Sequence, residues 1–350
     1  MTPGFRILAG GTDITAAIRD RLIEITVTDV AGIESDTLKL KIDDRRLEGG
    51  GIAALPTIGT RMVVSMGYVE TGLMKMGQYL VDEIECFSPP ATMIVTAHAA
   101  EMSAPIRAPR TRSFDDVTIG SLATLIAAEH GLTSAVSADL AEVALGHIDQ
   151  TAESDLALLT RIALAHDALF KVAGGKLIFA KRGAAISTSG APMPKVALAV
   201  DQIIEWRFRH SARRPGGQGK PDHPTDGASP QIASGGVKAY YWDFDAGERK
   251  EVTVGKPPYS EIRHVHVSKE KALAAARSAL STGERGQGEL ALTIVGDARI
   301  VAEAMVEVAL RPGLPTRWVV QRAEHQIGPQ GFITQIDCVL PDAPTKTTNR

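Results

Sequence analysis

Apolar and polar residues alternate one by one in the first part of the chain. Ile25 and Val27 alternate with threonines and a glutamate, and Leu38 and Ile42 lie in a similar alternation with lysines. A period of two predicts half-buried strands, because successive side chains point to opposite faces of a sheet. The strand that contains Ile42 is expected at an exposed edge. Further strands are predicted at 61–68, 78–86 and 92–98, between turn-rich segments at 29–32, 48–51 and 88–90. Short strands at this spacing favour a sandwich or small barrel.

The pattern changes to a helical period near residue 105. Thr118 is a suitable cap for a helix that runs to about His130 and ends at Gly131, and a second helix is predicted from Ser154 to about Asp167. A hairpin over 170–179 follows, with a Gly-Gly turn. These residues predict an α+β middle section.

A third section begins near residue 195 and alternates again. Ile204, Trp206 and Phe208 indicate a strand, and residues 211–236 contain too little apolar surface to fold, so a mobile surface loop is expected there. Later elements are predicted as strands at 237–242, 249–254 and 290–294, a helix at 268–280, and a hairpin of 318–325 with 332–340. The polar tail after Pro341 is expected to fray.

Composition excludes several classes of protein. The chain has 350 residues, 44% of them hydrophobic and 23% charged, which is typical of a globular protein rather than a disordered one. Lysine plus arginine total 38 and aspartate plus glutamate 41, so the net charge of −3 argues against a dedicated nucleic-acid binder. No apolar run is long enough to span a bilayer, and the first residues do not resemble a signal peptide. Cys86 and Cys338 are predicted to be buried free thiols in a reducing compartment.

Common catalytic and phosphate-binding signatures are absent from the sequence. It contains no GxSxG, HExxH or CxxC motif. The glycine-rich segment at 216–220 is followed by Pro221, which is incompatible with a phosphate-binding loop that opens a helix. The glycines at 49–51 are interpreted as a loop tip rather than an anion cradle.

Two groups of acidic residues admit a catalytic and a structural interpretation. His147, Asp149 and Asp155 with nearby serines could form a triad, but Asp149 and Ser154 are better explained by a turn and a helix cap. Asp29 and the Asp43–Asp44 pair could supply carboxylates for acid–base chemistry. Their position at strand ends favours a role in turns.

Two basic or metal-binding candidates also remain open. His264 and His266 would share one face of a strand, but two ligands do not make a metal site, so exposed or interface histidines are favoured. The basic cluster of Arg207, Arg209, His210, Arg213 and Arg214 lacks interleaved aromatic residues in the loop that follows. A solvated strand end is therefore favoured over a nucleic-acid site.

Three sets of motifs resemble phage late control gene D proteins, the tail hub proteins of contractile-tailed phages. The central set is HIDQTAESD at 147–155, LTRIA at 159–163 and GKLIF at 175–179. The opening set is DIT at 13–15, RDRL at 19–22, TVTD at 26–29 and SD at 35–36, and the closing set is WVV at 318–320, His325 and GFIT at 331–334. The resemblance extends in order over nearly the whole chain. The loop at 211–236 departs from it, since family members often have a longer and more basic insertion.

The resemblance implies a mainly β fold of two related small β-barrel domains and a helix-containing domain. The expected boundaries are 1–105 for the first barrel, 106–194 for the α+β middle domain, 195–341 for the second barrel with the loop at 211–236, and 342–350 for a disordered tail. It also implies similarity to the hub part of VgrG proteins in type VI secretion. The family has no known catalytic residue set, so no catalytic, cofactor-binding or metal-binding residues carry over.

The resemblance further implies a structural, non-enzymatic protein of the virion tail or baseplate, made in the cytoplasm of the bacterial host. Three subunits would form a ring that joins a threefold spike to a sixfold tail tube. Its partners would be two further copies, the spike protein, the tube protein and the tape-measure protein, without a small-molecule substrate, membrane span or specific nucleic acid. The alternatives are a tail-associated cell-wall hydrolase, although no paired-carboxylate spacing is recognisable, and a transcriptional regulator, although no helix-turn-helix with a basic recognition helix is evident.

Overall fold

The computed structural model describes residues 1–32, 35–46, 54–99, 104–173, 175–182, 195–210 and 235–341. The strands in these ranges are β1 Pro3–Ala9, β2 Thr12–Asp13, β3 Leu22–Val30, β4 Thr37–Asp43, β5 Arg61–Tyr68, β6 Gly72–Phe87, β7 Thr92–Ala99, β8 Pro109–Thr118, β9 Thr133–Val136, β10 Ala144–Ser154, β11 Ala168–Ala173, β12 Lys176–Lys181, β13 Lys195–Ala197, β14 Ile203–His210, β15 Gly236–Asp243, β16 Glu248–Gly255, β17 Tyr259–His266, β18 Gly288–Val295, β19 Met305–Glu307, β20 Arg317–Gly328 and β21 Gly331–Val339. The helices are α1 Thr15–Arg19, α2 Ala104–Arg107, α3 Ile119–Glu129, α4 Ala138–Ala141, α5 Asp155–Ala165 and α6 Lys269–Arg285, with a 3-10 turn at Val200–Gln202.

The alternating first section forms a β unit whose strands lie in the order β3-β4-β7-β6-β5-β1, every neighbouring pair antiparallel. Leu38, Leu40 and Ile42 are all buried on one face of β4, as the period of two predicts. We call these strands, with the short β2 beside β1, the first β unit.

A second β unit follows the same principle near the end of the chain. Its strands lie in the order β13-β19-β20-β21-β18-β14, and only the β13–β19 pair is parallel. Trp318 is fully buried at the centre of its core, and its indole Nε1 donates a hydrogen bond to the carbonyl of Pro315 at 3.1 Å. The bond satisfies the one polar atom of a side chain that is otherwise suited to burial.

The two β units are joined by antiparallel pairing of β20 with β3. The first residues of β20 pair with β19, whereas Arg322 to Ile327 pair with Val30 to Ile25. The two units therefore share one 13-stranded sheet, although each has its own hydrophobic cluster. The mainly β fold class is confirmed. Closure of each unit into a barrel and the four domain boundaries stay predictions.

The middle section contains both helices that the apolar period predicts. Thr118 and Ser154 cap α3 and α5, because their hydroxyl oxygens accept hydrogen bonds from the amides of Ser121 and Ala157 at 3.1 Å. The two helices pack on a two-stranded sheet of β8 and β10 and on a three-stranded sheet of β11, β12 and β9. Helix α5 ends two residues earlier than predicted, at Ala165.

A small insertion lies between β14 and β18. It is a three-stranded sheet in the order β16-β15-β17, covered on one face by α6 through Ala272 and Ala276. Helix α6 extends five residues beyond the predicted Leu280, to Arg285. No helix in the described ranges is long and apolar enough to cross a membrane.

Several sequence predictions are wrong in detail. Ile42 does not lie at an edge, because β4 is paired on both sides, with β3 and β7. Cys86 is exposed near the end of β6, whereas Cys338 is buried as expected. Gly236, predicted as loop, begins β15. Most of the predicted loop (211–234) and the predicted tail (342–350) lie outside the described residues, as do Gly49 to Gly51.

Replacement of Leu40 by alanine is expected to destabilise the protein by about 2–5 kcal/mol, because it leaves a cavity in a fully packed core. Lys39→Ala, one residue away on the exposed face of the same strand, is the control and is expected to change stability by about 0.5 kcal/mol or less. Urea unfolding of both variants checks the assignment of the two faces. Equal losses for the two would contradict it.

Candidate functional site

The predicted triad of His147, Asp149 and Asp155 does not form. His147 is exposed on β10 and contacts Asp115 through Nδ1 at 2.5 Å and Asp149 through Nε2 at 3.1 Å. Hydrogen bonds that the protonated ring donates to these two carboxylates, that to Asp115 first, raise the pKa of His147. Asp149 lies in β10 rather than in a turn, whereas the cap role of Ser154 is confirmed.

Asp155 is instead the buried centre of a polar network. Its Oδ1 accepts hydrogen bonds from Arg112 Nη2 at 2.7 Å and Gln150 Nε2 at 2.8 Å, and its Oδ2 lies 2.8 Å from His130 Nε2. Burial opposes ionisation, but the hydrogen bonds of His130 and Gln150 and the charge of Arg112 hold the pKa of Asp155 below its usual value. The network fixes the start of α5 against β8, β10 and the end of α3.

Glu129, His130 and Asp155 place three potential metal ligands within 4.8 Å of one another. Two guanidinium groups already bind the carboxylates, since Arg110 and Arg112 both pair with Glu129 and Arg112 also pairs with Asp155. Two positive charges thus balance two negative charges. The donor set is an ion network and does not fit a cation.

The other predicted candidates also lack a catalytic arrangement. His264 and His266 share a face of β17, with ring centroids 4.9 Å apart, and no third ligand joins them in the described part of the chain. Asp43 is the last residue of β4, and its carboxylate accepts hydrogen bonds from the backbone amide and the guanidinium of Arg45. This arrangement is typical of an aspartate that stabilises a turn. Arg207 and Arg209 project from the exposed face of β14, and Arg209 lies 3.7 Å from Glu289.

The remaining candidates fall outside the described residues. They are Arg213, Arg214 and the glycine-rich segment at 216–220.

Asp29 lies where the three main sections of the chain meet. Its Oδ1 accepts a hydrogen bond from Lys171 Nζ of the middle section at 2.6 Å, and its Oδ2 accepts one from the amide of Ala302 at 2.9 Å. Lys171 Nζ also donates to Asp36 Oδ1 at 2.8 Å. Asp29, Asp36 and Lys171, which we call the junction triad, tie β3 to β11 and to the segment before β19.

Electrostatic interactions within the junction triad give its two carboxyl groups different pKa values. Burial opposes ionisation of Asp29, but the charge and hydrogen bond of Lys171 and the amide of Ala302 hold its pKa below the usual value. Burial and then the negative charge of Asp29 raise the pKa of Asp36 to about 6. The pKa of Lys171 is raised because the two carboxylates outweigh the cost of its burial.

A second buried ion pair fastens the small insertion to the middle section. Arg285 at the end of α6 donates to both oxygens of Asp167, with Nη1 2.9 Å from Oδ2. Ser278 of the same helix donates to the carbonyl of Leu164 at 3.1 Å. Polar contacts therefore hold α6 against the end of α5.

His325 is fully buried in β20, close to the pairing of the two β units. Its Nδ1 lies 3.0 Å from Thr334 Oγ1 and its Nε2 lies 3.0 Å from the carbonyl of Ile300. Since a carbonyl only accepts, Nε2 carries the proton, and Thr334 Oγ1 donates to Nδ1 while accepting from the amide of Asp297. Burial lowers the pKa of His325, so the ring is neutral.

The sequence motifs identified some, but not all, of the residues that form these polar contacts. Asp29, Asp36 and His325 belong to the motifs that resemble phage tail hub proteins, but periodicity assigns them no partners. Lys171 and Arg285 lie outside those motifs, and their partners are 118 to 142 residues away.

Comparisons with known proteins agree with the resemblance. The chain is 29% identical over 373 aligned positions to the probable baseplate hub protein of Escherichia phage 186, covering 96% of this chain and 92% of that protein. Among solved structures, the 43 kDa tail protein of prophage MuSo2 from Shewanella oneidensis matches with a TM-score of 0.67 and 15% identity, covering 97% and 99% of the two chains.

A more distant match is the E. coli c3393 protein, a component of the type VI secretion system, with a TM-score of 0.57 and 8% identity, covering 98% of this chain and 78% of that chain. No protein-family model matches the chain. The resemblance to phage baseplate hub proteins is confirmed, and the fold is shared with phage tail proteins and a type VI secretion protein.

Lys171→Met is expected to destabilise the protein by up to about 3 kcal/mol, because it leaves two neighbouring, partly buried carboxylates without their cation. Addition of Asp36→Asn to this variant is expected to restore part of the loss, since one of the two charges is removed. Arg6→Met, which breaks an exposed pair with Asp13, is the control and is expected to have little effect. Denaturant unfolding measures all three. A small loss for Lys171→Met would show that the junction triad does not hold the sections together.

His325 is expected to make stability fall as the pH decreases through about 6.5. The unfolded chain takes up a proton there while the buried ring stays neutral, so the free energy of unfolding decreases by up to about 1.4 kcal/mol per pH unit. Asp36 has the opposite sign between pH 6 and 3.8, since its pKa is raised in the folded protein. The measurement is therefore the stability difference between wild type and His325→Gln, in which Asp36 is common to both. That difference should shrink from pH 7 to pH 5.5, and a constant difference would contradict a neutral buried His325.

Proposed function

We propose that this protein is the hub of a contractile phage tail or phage-like particle. Three copies form a ring, and the ring joins a threefold spike to a sixfold tail tube. The observation that carries the proposal is similarity over nearly the full length to a protein named as a probable baseplate hub. The place of action is the tail or baseplate of the virion.

The internal organisation of the chain supports an adaptor between threefold and sixfold symmetry. In the described residues, the first β unit has seven strands in the order β3-β4-β7-β6-β5-β1-β2, and the second has six in the order β13-β19-β20-β21-β18-β14. A closed ring of three chains would present six such units. Threefold subunits thereby offer six similar positions to a sixfold partner without requiring six identical chains.

The buried polar side chains around Asp155 and in the junction triad also favour a structural role. The described carboxyl groups with displaced pKa values inside the fold are neutralised by lysine, arginine, histidine or backbone amides rather than exposed to a substrate. Asp29 and Asp36 have separated pKa values, as an acid–base pair would, but Lys171 bridges them. Their atoms are occupied in joining sections of the chain.

The alternative function, a cell-wall hydrolase, would require a particular arrangement of carboxyl groups. A hydrolase of this kind needs two carboxyl groups that flank a bound sugar. The bridged Asp29–Asp36 pair supplies no such arrangement, so we propose that the chain has no catalytic activity. Clearing of purified peptidoglycan by the isolated protein would contradict this.

The purified chain is expected to have a mass near three times 37.2 kDa by light scattering. Negative-stain images should show rings with threefold symmetry, and a candidate spike protein from the same tail should bind at a ratio of one spike trimer per ring. A strict monomer at all concentrations, with or without the spike protein, would overturn the proposal.

A further inference from the structure

The start of helix α6 lies between two histidines, of which one is half-buried at each side. His266 is the last residue of β17, three residues before α6 begins, and His166 directly follows α5. The ammonium of Lys271, in the first turn of α6, is close enough to interact with both rings. Two turns further along the helix, Ser278 donates to the carbonyl of Leu164 near the end of α5. We call His166, His266 and Lys271 the α6 cluster.

The surroundings of His266 fit a neutral ring better than a charged one. Its Nε2 is buried and has no hydrogen-bond partner in the described part of the chain. Its ring meets that of His264 edge-on, with 4.9 Å between the centroids. Both nitrogens of a protonated imidazole are donors, so the charged ring would bury an N–H group without an acceptor. The closed structure therefore favours the neutral form of His266.

Acidic side chains on the elements around the α6 cluster are already paired with other groups. They are Asp243 of β15 with Lys250, Glu270 of α6 with Ser268, and Asp167 after α5 with Arg285. Other polar neighbours are His264 of β17, Lys269 at the start of α6, and Tyr241 of β15, which is in register with His266. Histidine, lysine and tyrosine carry no negative charge at acidic pH. A proton taken up by either histidine of the cluster therefore gains no counter-charge from these groups.

Burial and charge act in the same direction on both rings. Burial, and then the charges of His264 and Lys271, lower the pKa of His266, and burial, and then the charge of Lys271, lower the pKa of His166. An exposed histidine takes up a proton near pH 6.5, so an opened form of the cluster binds protons at a pH where the closed form does not. A fall in pH therefore shifts the balance toward the opened form.

We propose that acidification releases the first turns of α6 from the sheet of the insertion and from the end of α5. Protonation of both histidines brings three positive charges together in the α6 cluster, and opening separates them and exposes the rings to water. The later turns of α6 stay in place, because Ser278 and the Arg285–Asp167 ion pair hold them. The inference concerns a single chain and does not depend on the proposed ring.

The first experiment measures the accessibility of a thiol placed under the start of α6. Ala272 is fully buried against the sheet of the insertion, and Ala272→Cys adds only a sulfur atom there. The variant is treated with a dithiodipyridine reagent, which still reacts with thiols at acidic pH, and the modification of each cysteine is followed by peptide mass spectrometry. Native Cys86, which is exposed, corrects for the pH dependence of the thiol reaction. Native Cys338, which is buried in the core of the second β unit, reports unfolding of that unit.

Between about pH 7.5 and about pH 5.5, the Ala272→Cys thiol is expected to gain up to about a hundredfold in reactivity relative to Cys86. The gain is about tenfold for each histidine that is protonated only in the opened form. His166→Gln combined with His266→Gln removes both titrating groups and should abolish the gain. His147→Gln, which removes an exposed histidine of β10, is the control and should keep the gain in full.

Hydrogen exchange of the wild type, followed by mass spectrometry, tests the same opening without a substitution. Corrected for the intrinsic exchange rate at each pH, exchange should increase on acidification in the first turns of α6 and less in its last turns. A reactivity gain that persists in the double histidine variant, or equal reactivity of the Ala272→Cys thiol and Cys338, would overturn the inference. Unchanged thiol reactivity at acidic pH, together with unchanged exchange at the start of α6, would overturn it as well.

Discussion

The antiparallel pairing of β3 with β20 is the constraint on which the rest of the structure depends. It pairs residues 25–30 with residues 322–327, which lie near opposite ends of the sequence. Both strands lie in the interior of the 13-stranded sheet, so their backbone N–H and C=O groups are hydrogen-bonded by neighbouring strands rather than by water. The pairing joins two separately packed cores through one continuous sheet.

Two sets of largely buried charges lie at the joints between parts of this protein, whereas the buried Asp155 joins elements within the middle section. Asp29 contacts the middle section and the segment before β19, and Arg285 contacts Asp167 across the boundary between α6 and α5. Buried ions are tolerated only where every partner is in place, so each joint is specific for one arrangement. Such joints suit a structural role, because every one of these groups is already occupied by a partner within the chain.

The sequence correctly predicted which face of a strand is buried and where helices begin, but it did not predict which distant segments lie next to each other. The period of two identified the buried residues of β4, and Thr118, Ser154 and Ser268 were sufficient to place the starts of three helices, since capping depends only on residues three positions away. Ile42 was misplaced because an alternating strand has the same pattern at an edge or in the interior, and Cys86 because it lies at the exposed end of β6. The partners of Asp29 and His325 come from distant segments, and no local pattern contains that information.

The two β units are similar in strand number but differ in what is attached to them. The second unit alone is interrupted by the β15–β17 sheet and α6, and the middle section lies between the units in the chain. In the proposed ring of three chains, the six β units would supply the features that repeat six times, whereas everything attached to them would repeat only three times.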